Sequence, residues 1–286
     1  MPGTEDHGPL LLIGGAEDKL GSRTILARFV ALAGGTVARI AVIATASAYH
    51  DLVGHRYVAL FSNLGAASVE LLHLHDRTDA QHRETLHRLT EATGIFLTGG
   101  DQLKLTAVLG GTPVAEQIRR RHRQGAVIGG TSAGASAAAE HMVAYGAGGF
   151  PPRKAMLHFA PGLGLIGGVV IDQHFGARAR TGRLIAAVAH NPELIGIGLD
   201  EDTAAEIDAR GCLTVLGRGA VMIADGAEIS HTDIHTVPEQ APLALFGLRL
   251  HVLTRGYRFD LPSRTPHLPS EPQPYPEVGY MGGEGI

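Results

Sequence analysis

The chain has 286 residues, 44% of them hydrophobic, a formal net charge of −4 and a single cysteine, Cys212. That is enough apolar material for one large core, while the absence of a basic tract argues against nucleic-acid and membrane-surface partners. One cysteine excludes an intrachain disulfide and a cysteine-built metal site. The apolar run from Leu10 to Ile13 is too short for export or membrane insertion, which predicts a cytoplasmic protein.

Strands and helices then alternate. Residues 10–13 predict a short strand ending in Gly14-Gly15, and across 22–33 Ile25, Leu26, Phe29 and Val30 fall at helical spacing before Gly34. A second strand is predicted over 40–44, followed by a helix through Tyr57, Leu60, Phe61 and Leu64. A third covers 69–72, with a polar helix over 79–90, and a fourth covers 95–98 and runs into Gly99-Gly100. Thr112 and Pro113 suit an N-cap and the first position of a further helix. Residues 126–128 complete five continuously apolar strands. Continuous rather than alternating apolarity means burial on both faces, hence an α/β fold with a mostly parallel central sheet layered by helices.

After about residue 193 the pattern changes. Short runs at 195–199, 204–207, 213–216, 220–223 and 248–253, separated by turn residues, predict added and mostly antiparallel strands. Six prolines between Pro262 and Pro276, then Gly282-Gly283, predict a loose tail. The expected organisation is one α/β domain over 1–261 and a tail over 262–286.

The segment Ile128-Gly129-Gly130-Thr131-Ser132-Ala133-Gly134-Ala135-Ser136 has the chemistry of a nucleophile elbow. An apolar strand reaches a glycine pair, one serine follows, and small residues continue as a helix, so the backbone lifts one hydroxyl out of the fold. A bulky Cβ would clash where strand and helix approach. Ala133 would hold a free N–H at a helix start, suited to an oxyanion. An ordinary glycine-rich turn with a serine N-cap uses the same residue types.

In an open parallel sheet, reacting groups gather at the carboxyl ends of strands. Gly14-Gly15, Gly99-Gly100-Asp101-Gln102, Ser132, Asp172-Gln173-His174 after an apolar run at 168–171, and Asp200-Glu201-Asp202 after 195–199 all stand at such ends. Ser132 needs a base. Among 16 histidines, His174 alone directly follows a predicted buried strand, flanked by Asp172 and Gln173. Its second nitrogen needs an acceptor, for which Glu201 is the choice and Asp200 and Asp202 are rivals. His73-Leu74-His75-Asp76 has metal-ligand residue types but occupies one short segment, and neither metal nor cofactor is expected.

Six blocks carry a resemblance: Gly14-Gly15-Ala16-Glu17-Asp18-Lys19, Thr98-Gly99-Gly100-Asp101-Gln102-Leu103, Gly130-Thr131-Ser132-Ala133-Gly134-Ala135, Ala160-Pro161-Gly162-Leu163-Gly164-Leu165, Asp172-Gln173-His174-Phe175 and Gly196-Ile197-Gly198-Leu199-Asp200-Glu201-Asp202-Thr203. In this order and phase, from about Pro9 to Leu261, the chain resembles the cyanophycinase family, serine-type exopeptidases related to aspartyl dipeptidases. The resemblance implies a class I glutamine-amidotransferase-like, flavodoxin-like layered fold, a homodimer, and hydrolysis of cyanophycin, poly-aspartate carrying arginine on each β-carboxyl, to β-Asp-Arg. It places the nucleophile on Ser132, the base on His174 and the acid on Glu201, with oxyanion donors at Ala133 and Gly100. It places the substrate pocket on Gln102, Asp172, Gln173, Arg178, Arg180 and Arg183. Both signs of charge suit such a substrate: arginine forks for its carboxylates, and Asp172 and Gln102 as acceptors for its guanidinium. A helix after His174 would set Arg178 one turn away on the same face. An aspartyl or isoaspartyl dipeptidase of the same fold, and a non-catalytic binding module, are the alternatives.

Overall fold

Leu10, Leu11, Leu12 and Ile13 are all buried because the strand they form, β1 (Leu10–Ile13), lies inside a sheet covered on both faces. The computed structural model describes residues 7–269. After β1 come α1 (Thr24–Leu32), β2 (Arg39–Ile43), α2 (His50–Asn63), β3 (Ser68–Leu72), α3 (Arg83–Thr90), β4 (Gly94–Leu97), α4 (Gln102–Leu109), α5 (Pro113–Arg123), β5 (Val127–Thr131) and α6 (Ala133–Ala137). A hairpin follows, β6 (His141–Gly146) and β7 (Leu157–Pro161), then β8 (Val169–Asp172), α7 (Thr181–His190) and β9 (Ile195–Leu199). The remainder is β10 (Thr203–Ile207), β11 (Cys212–Gly217), β12 (Val221–Asp225), β13 (His231–Thr232), β14 (Leu245–Phe246), β15 (Arg249–Leu253), β16 (Arg258–Asp260) and β17 (Thr265–His267).

The central sheet has nine strands in the order β17-β16-β11-β10-β1-β5-β4-β2-β3. The five expected strands, β1 to β5, run parallel, and β10, β11, β16 and β17 extend the sheet antiparallel from β1. Alternation along β1 sends Leu11 and Ile13 to one face, with Leu26, Phe29 and Phe61 of α1 and α2, and Leu10 and Leu12 to the other, with Leu89, Val114 and Ile118 of α3 and α5. Phe29, Phe61 and Phe96 meet with ring centroids 5.0–5.2 Å apart, which fixes α1 and α2 on their face. Thr112 caps α5 by accepting from Ala115 N–H at 3.3 Å, with Pro113 in the first turn, as its residue types predict.

Several expectations change. Strands β8 and β9 do not join the central sheet; they form a second sheet in the order β15-β12-β9-β8. There β9 pairs parallel with β8 and antiparallel with β12, because a strand-helix-strand unit through α7 returns the chain in the same direction. Val169, Ile171 and Ile197 pack toward the central sheet, and Val170 packs against Leu184 and Val188 of α7. The polar helix over 79–90 begins later, at Arg83, after a single 3₁₀ turn broken at His82 (ψ 131°). Helix α4 was not expected; Asp101 caps it, accepting from Leu103 N–H at 2.8 Å. The β6–β7 hairpin was also unforeseen. Thr265–His267, assigned to the tail, adds an edge strand to β16, and residues 270–286 of that tail lie outside the described residues. No helix among the described residues is long and apolar enough to cross a membrane.

Helix α5 also carries a pH-sensitive element. His122 is buried, with Nε2 2.7 Å from the Gly8 carbonyl, so the neutral ring donates there. Burial lowers its pKa from 6.5 to about 4. The unfolded chain therefore takes up a proton that the folded chain refuses, and stability falls as pH drops from about 6.5 toward 4. This group accounts for on the order of 3 kcal/mol across that window. Chemical denaturation at several pH values should show His122→Gln, which keeps a donor to Gly8, losing that part of the slope; an unchanged slope would refute the assignment.

Candidate active site

Strand β5 ends at Thr131, and Ser132 turns the chain into α6 with φ 52° and ψ −111°, outside the ordinary regions for a residue with a Cβ. The small residues around it are required by contact. A Cβ on Gly134 would lie 2.3 Å from the Leu97 carbonyl oxygen, and one on Gly130 would lie 2.6 Å from the carbonyl carbon of Gly134. Ser132 stands at the N-cap position, yet its hydroxyl caps nothing. It reaches His174 Nε2 at 3.0 Å and, less closely, Gln173 Oε1 at 3.3 Å.

The turn after β1 assembles three segments. Successive carbonyls of Ile13, Gly14 and Gly15 accept N–H bonds from Ser132 (2.9 Å), His174 (2.7 Å) and Asp202 (2.9 Å). Ser132 comes from the central sheet and His174 from the end of β8 in the second sheet. Asp202 lies on the β9–β10 link that crosses between the two. The active edge is therefore built where two sheets meet, not along one sheet as the sequence suggested. Gly15 is specified by proximity, since a Cβ there would lie 2.4 Å from His174 Cε1.

Across the ring, His174 Nδ1 lies 2.6 Å from Glu201 Oε1, with the His174 side chain 14% and the Glu201 side chain 43% exposed. The rivals are occupied elsewhere. Asp200 accepts from the N–H groups of Gly176 and Ala220 at 2.9 and 3.0 Å, and Asp202 accepts from Asp18 N–H at 2.8 Å and Arg218 Nε at 2.6 Å. A carboxylate at Nδ1 fixes the tautomer that leaves Nε2 free to accept the serine proton. The arrangement can therefore perform acyl transfer.

Ala133 and Gly100, the expected oxyanion donors, lie in the two turns that border Ser132. Ala133 begins α6, so its N–H has no intrahelical acceptor. Gly100 adopts φ +145° with its Cα against Ala46, where a Cβ would lie 2.1 Å from the carbonyl oxygen. The preceding Gly99 brings this turn against the nucleophile, a Cβ on it lying 3.3 Å from Ser132 Cβ.

The predicted pocket residues divide by environment. Asp172 was assigned a guanidinium to hold; it holds two, both from this chain. Arg183 donates Nε to Asp172 Oδ2 at 2.7 Å, its Nη2 to Oδ1, and its Nη1 to the Gly146 carbonyl at 2.9 Å. Arg180 donates Nη1 to Asp172 Oδ1 at 3.2 Å and to the Gln173 carbonyl. All three are buried, and burial lowers the Arg180 pKa to about 10, opposed in part by Asp172. Gln102 uses its amide nitrogen on the Val143 and Ala144 carbonyls at 3.0 and 2.7 Å, which leaves its oxygen as an acceptor. Arg178 is exposed and has no side-chain partner among the described residues. It does not lie on a helix, because His174 and Ala179 both have positive φ and α7 starts only at Thr181. One bond from Arg178 N–H to the His174 carbonyl (3.0 Å) keeps it a turn away.

Nothing in the residue pattern assigns a role to Glu17. It is 3% exposed and lies behind the elbow. It accepts from Thr131 Oγ1 at 2.7 Å and from the Tyr57 hydroxyl, and it pairs with Lys19 at 2.9 Å. Burial pushes the Tyr57 phenol well above its ordinary pKa, which keeps it a donor. The place of Glu17 in the first of the six blocks is visible in the sequence; that it is buried against the residue preceding Ser132 depends on the β1–β5 pairing.

The chain is similar to known peptidases in sequence and in fold. The sequence profile of Peptidase family S51 matches residues 10–214. A cyanophycinase of Trichormus variabilis is 46% identical over 257 residues, covering 90% of this chain and 86% of its own length. One from Geminocystis herdmanii is 44% identical over 258 residues, covering 90% and 95%. In fold the chain is similar to a peptidase from an acI-B1 Actinobacterium, with TM-score 0.67 at 22% identity over 91% of this chain and 99% of that one. A putative peptidase E of Listeria monocytogenes gives TM-score 0.50 at 16% identity, covering 74% and 98%. With a serine elbow, a histidine and a carboxylate in contact and a profile match spanning the layered core, the chain belongs to peptidase family S51.

Proposed function

We propose that the protein is a serine-type exopeptidase that hydrolyses cyanophycin to β-Asp-Arg dipeptides through an acyl-enzyme on Ser132. The observation that carries this reading is the relay from Ser132 to His174 (3.0 Å) to Glu201 (2.6 Å) in a chain 44–46% identical to cyanophycinases. Ser132 Oγ attacks the peptide carbonyl of the penultimate aspartate while its proton passes to His174 Nε2, and Glu201 stabilises the imidazolium. The N–H groups of Ala133 and Gly100 receive the oxyanion, each worth on the order of 3 kcal/mol of barrier. His174 then gives the proton to the leaving amine, and water repeats the steps on the ester.

Substrate contacts follow from which groups remain open. Arg178, exposed beside the base, offers a fork to a carboxylate of the released residue. Gln102 Oε1 offers an acceptor to its guanidinium, while Gln173, 6% exposed, turns its Oε1 to the Ser132 hydroxyl at 3.3 Å and borders the pocket from below. Asp172 acts as the anchor that sets Arg180 and Arg183 under the site. Glu17 braces the elbow through Thr131. A homodimer in the cytoplasm completes the reading; Leu250 and Val252, 46% and 63% exposed on one face of β15, are a surface of the kind a second copy covers.

Incubation with cyanophycin, beside α-Asp-X and β-aspartyl dipeptides, tests the proposal by product mass. The expected result is loss of polymer and accumulation of β-Asp-Arg. Cleavage of dipeptides with intact polymer would replace it by the dipeptidase reading, and binding without any cleavage by a non-catalytic module.

A further inference from the structure

We propose that His73, His75 and Asp51 form a surface site for one divalent transition-metal ion of the zinc class, separate from the Ser132 site. In the sequence, His73-Leu74-His75 supplies two nitrogen ligands on one short segment, and the fold brings a third ligand from another. Beyond the end of β3 at Leu72, His73 and His75 are both exposed with their rings stacked 5.9 Å apart, while Leu74 between them is 2% exposed. Asp51, in the first turn of α2, places Oδ1 3.2 Å from His73 Nδ1. One ligand atom from each of the three residues lies within 4.8 Å of the others. Around a tetrahedral ion at a bond length of about 2.1 Å, such atoms stand roughly 3.4 Å apart, within reach of small side-chain rotations.

The backbone presenting the ligands is fixed. Thr45 Oγ1 donates to the Leu74 carbonyl at 2.8 Å, and His75 N–H donates to Asp79 Oδ2 at 2.8 Å. The ring of His50 packs edge-on against His75, centroids 5.0 Å apart, and is held by Lys104 Nζ donating to its Nε2 at 2.8 Å. A backbone held before binding loses little freedom on binding. Two imidazoles and one carboxylate favour zinc, nickel or copper over magnesium or calcium, which need oxygen ligands. All three residues are exposed, so the remaining positions on the ion are open to water.

Calorimetric titration of the full chain with Zn²⁺ and with Ni²⁺ tests the site. The expected result is one equivalent bound, unaffected by millimolar Mg²⁺, and weakened at least about tenfold by each of Asp51→Ala, His73→Ala and His75→Ala. His82→Ala should leave it unchanged. Because the three side chains are exposed, the variants should keep the metal-free melting temperature and peptidase rate while losing the Zn²⁺-induced rise in melting temperature. His73→Gln provides a milder second variant with the same expected loss. Failure to bind an equivalent, or binding that survives all these substitutions, would overturn the proposal.

Discussion

Replacing Ser132 by alanine should lower kcat by roughly 10⁵-fold or more, about 7 kcal/mol of barrier, with the fold intact. The loss is that large because the residues of the relay act as a unit, leaving only binding and the oxyanion donors. The fold should survive for a local reason. The Ser132 hydroxyl caps nothing in α6, and alanine carries the same Cβ into the same backbone region. Glycine differs from both: the φ of 52° and ψ of −111° lie where a Cβ costs on the order of 1–3 kcal/mol. Ser132→Gly should thus be equally inactive and melt above Ser132→Ala. Turnover on any cleaved aspartyl peptide, with thermal melts of both variants, checks this; activity within tenfold of the parent would remove Ser132 from the chemistry.

Asp172→Asn should produce the largest loss of stability. The substitution keeps shape but leaves Arg180 and Arg183 buried without their shared counter-charge, a change that costs about 3–5 kcal/mol. In a chain of this size that corresponds to a fall in melting temperature on the order of 10 °C. The same change should reduce activity, because Gln173 and His174 follow directly on the strand that Asp172 ends. An open-site acceptor would behave differently, raising KM with stability changed by no more than about 0.5 kcal/mol. Thermal melts beside kcat and KM separate the two readings.

Much of this was legible in the sequence because continuous apolarity has one physical meaning. Leu10, Leu11, Leu12 and Ile13 can all be buried only in a strand covered on both faces, and five such runs fix a layered parallel sheet. Which sheet a strand joins is less legible. The β8-α7-β9 unit has the same local pattern in either sheet, and the difference lies in long-range packing against α7. The elbow was legible because its glycines answer to close backbone contacts. Glu201 was preferred over Asp200 and Asp202, and it is the one that faces His174, but all three follow one strand and only the turn excludes the rivals. At Asp172, Arg180 and Arg183, residue type showed that charges would pair but not with what. The burial of Glu17 behind Thr131 and the meeting of Asp51 with His73 and His75 join segments far apart in sequence, which spacing cannot reveal.

Catalysis by this site requires a hydroxyl made nucleophilic by contact with His174. A serine-directed phosphonofluoridate followed by peptide mass mapping tests that most directly. One adduct on the peptide containing Ser132, formed in the parent and lost in a folded His174→Ala variant, is the predicted result. An adduct on another serine, or labelling of Ser132 at the same rate without His174, would contradict it.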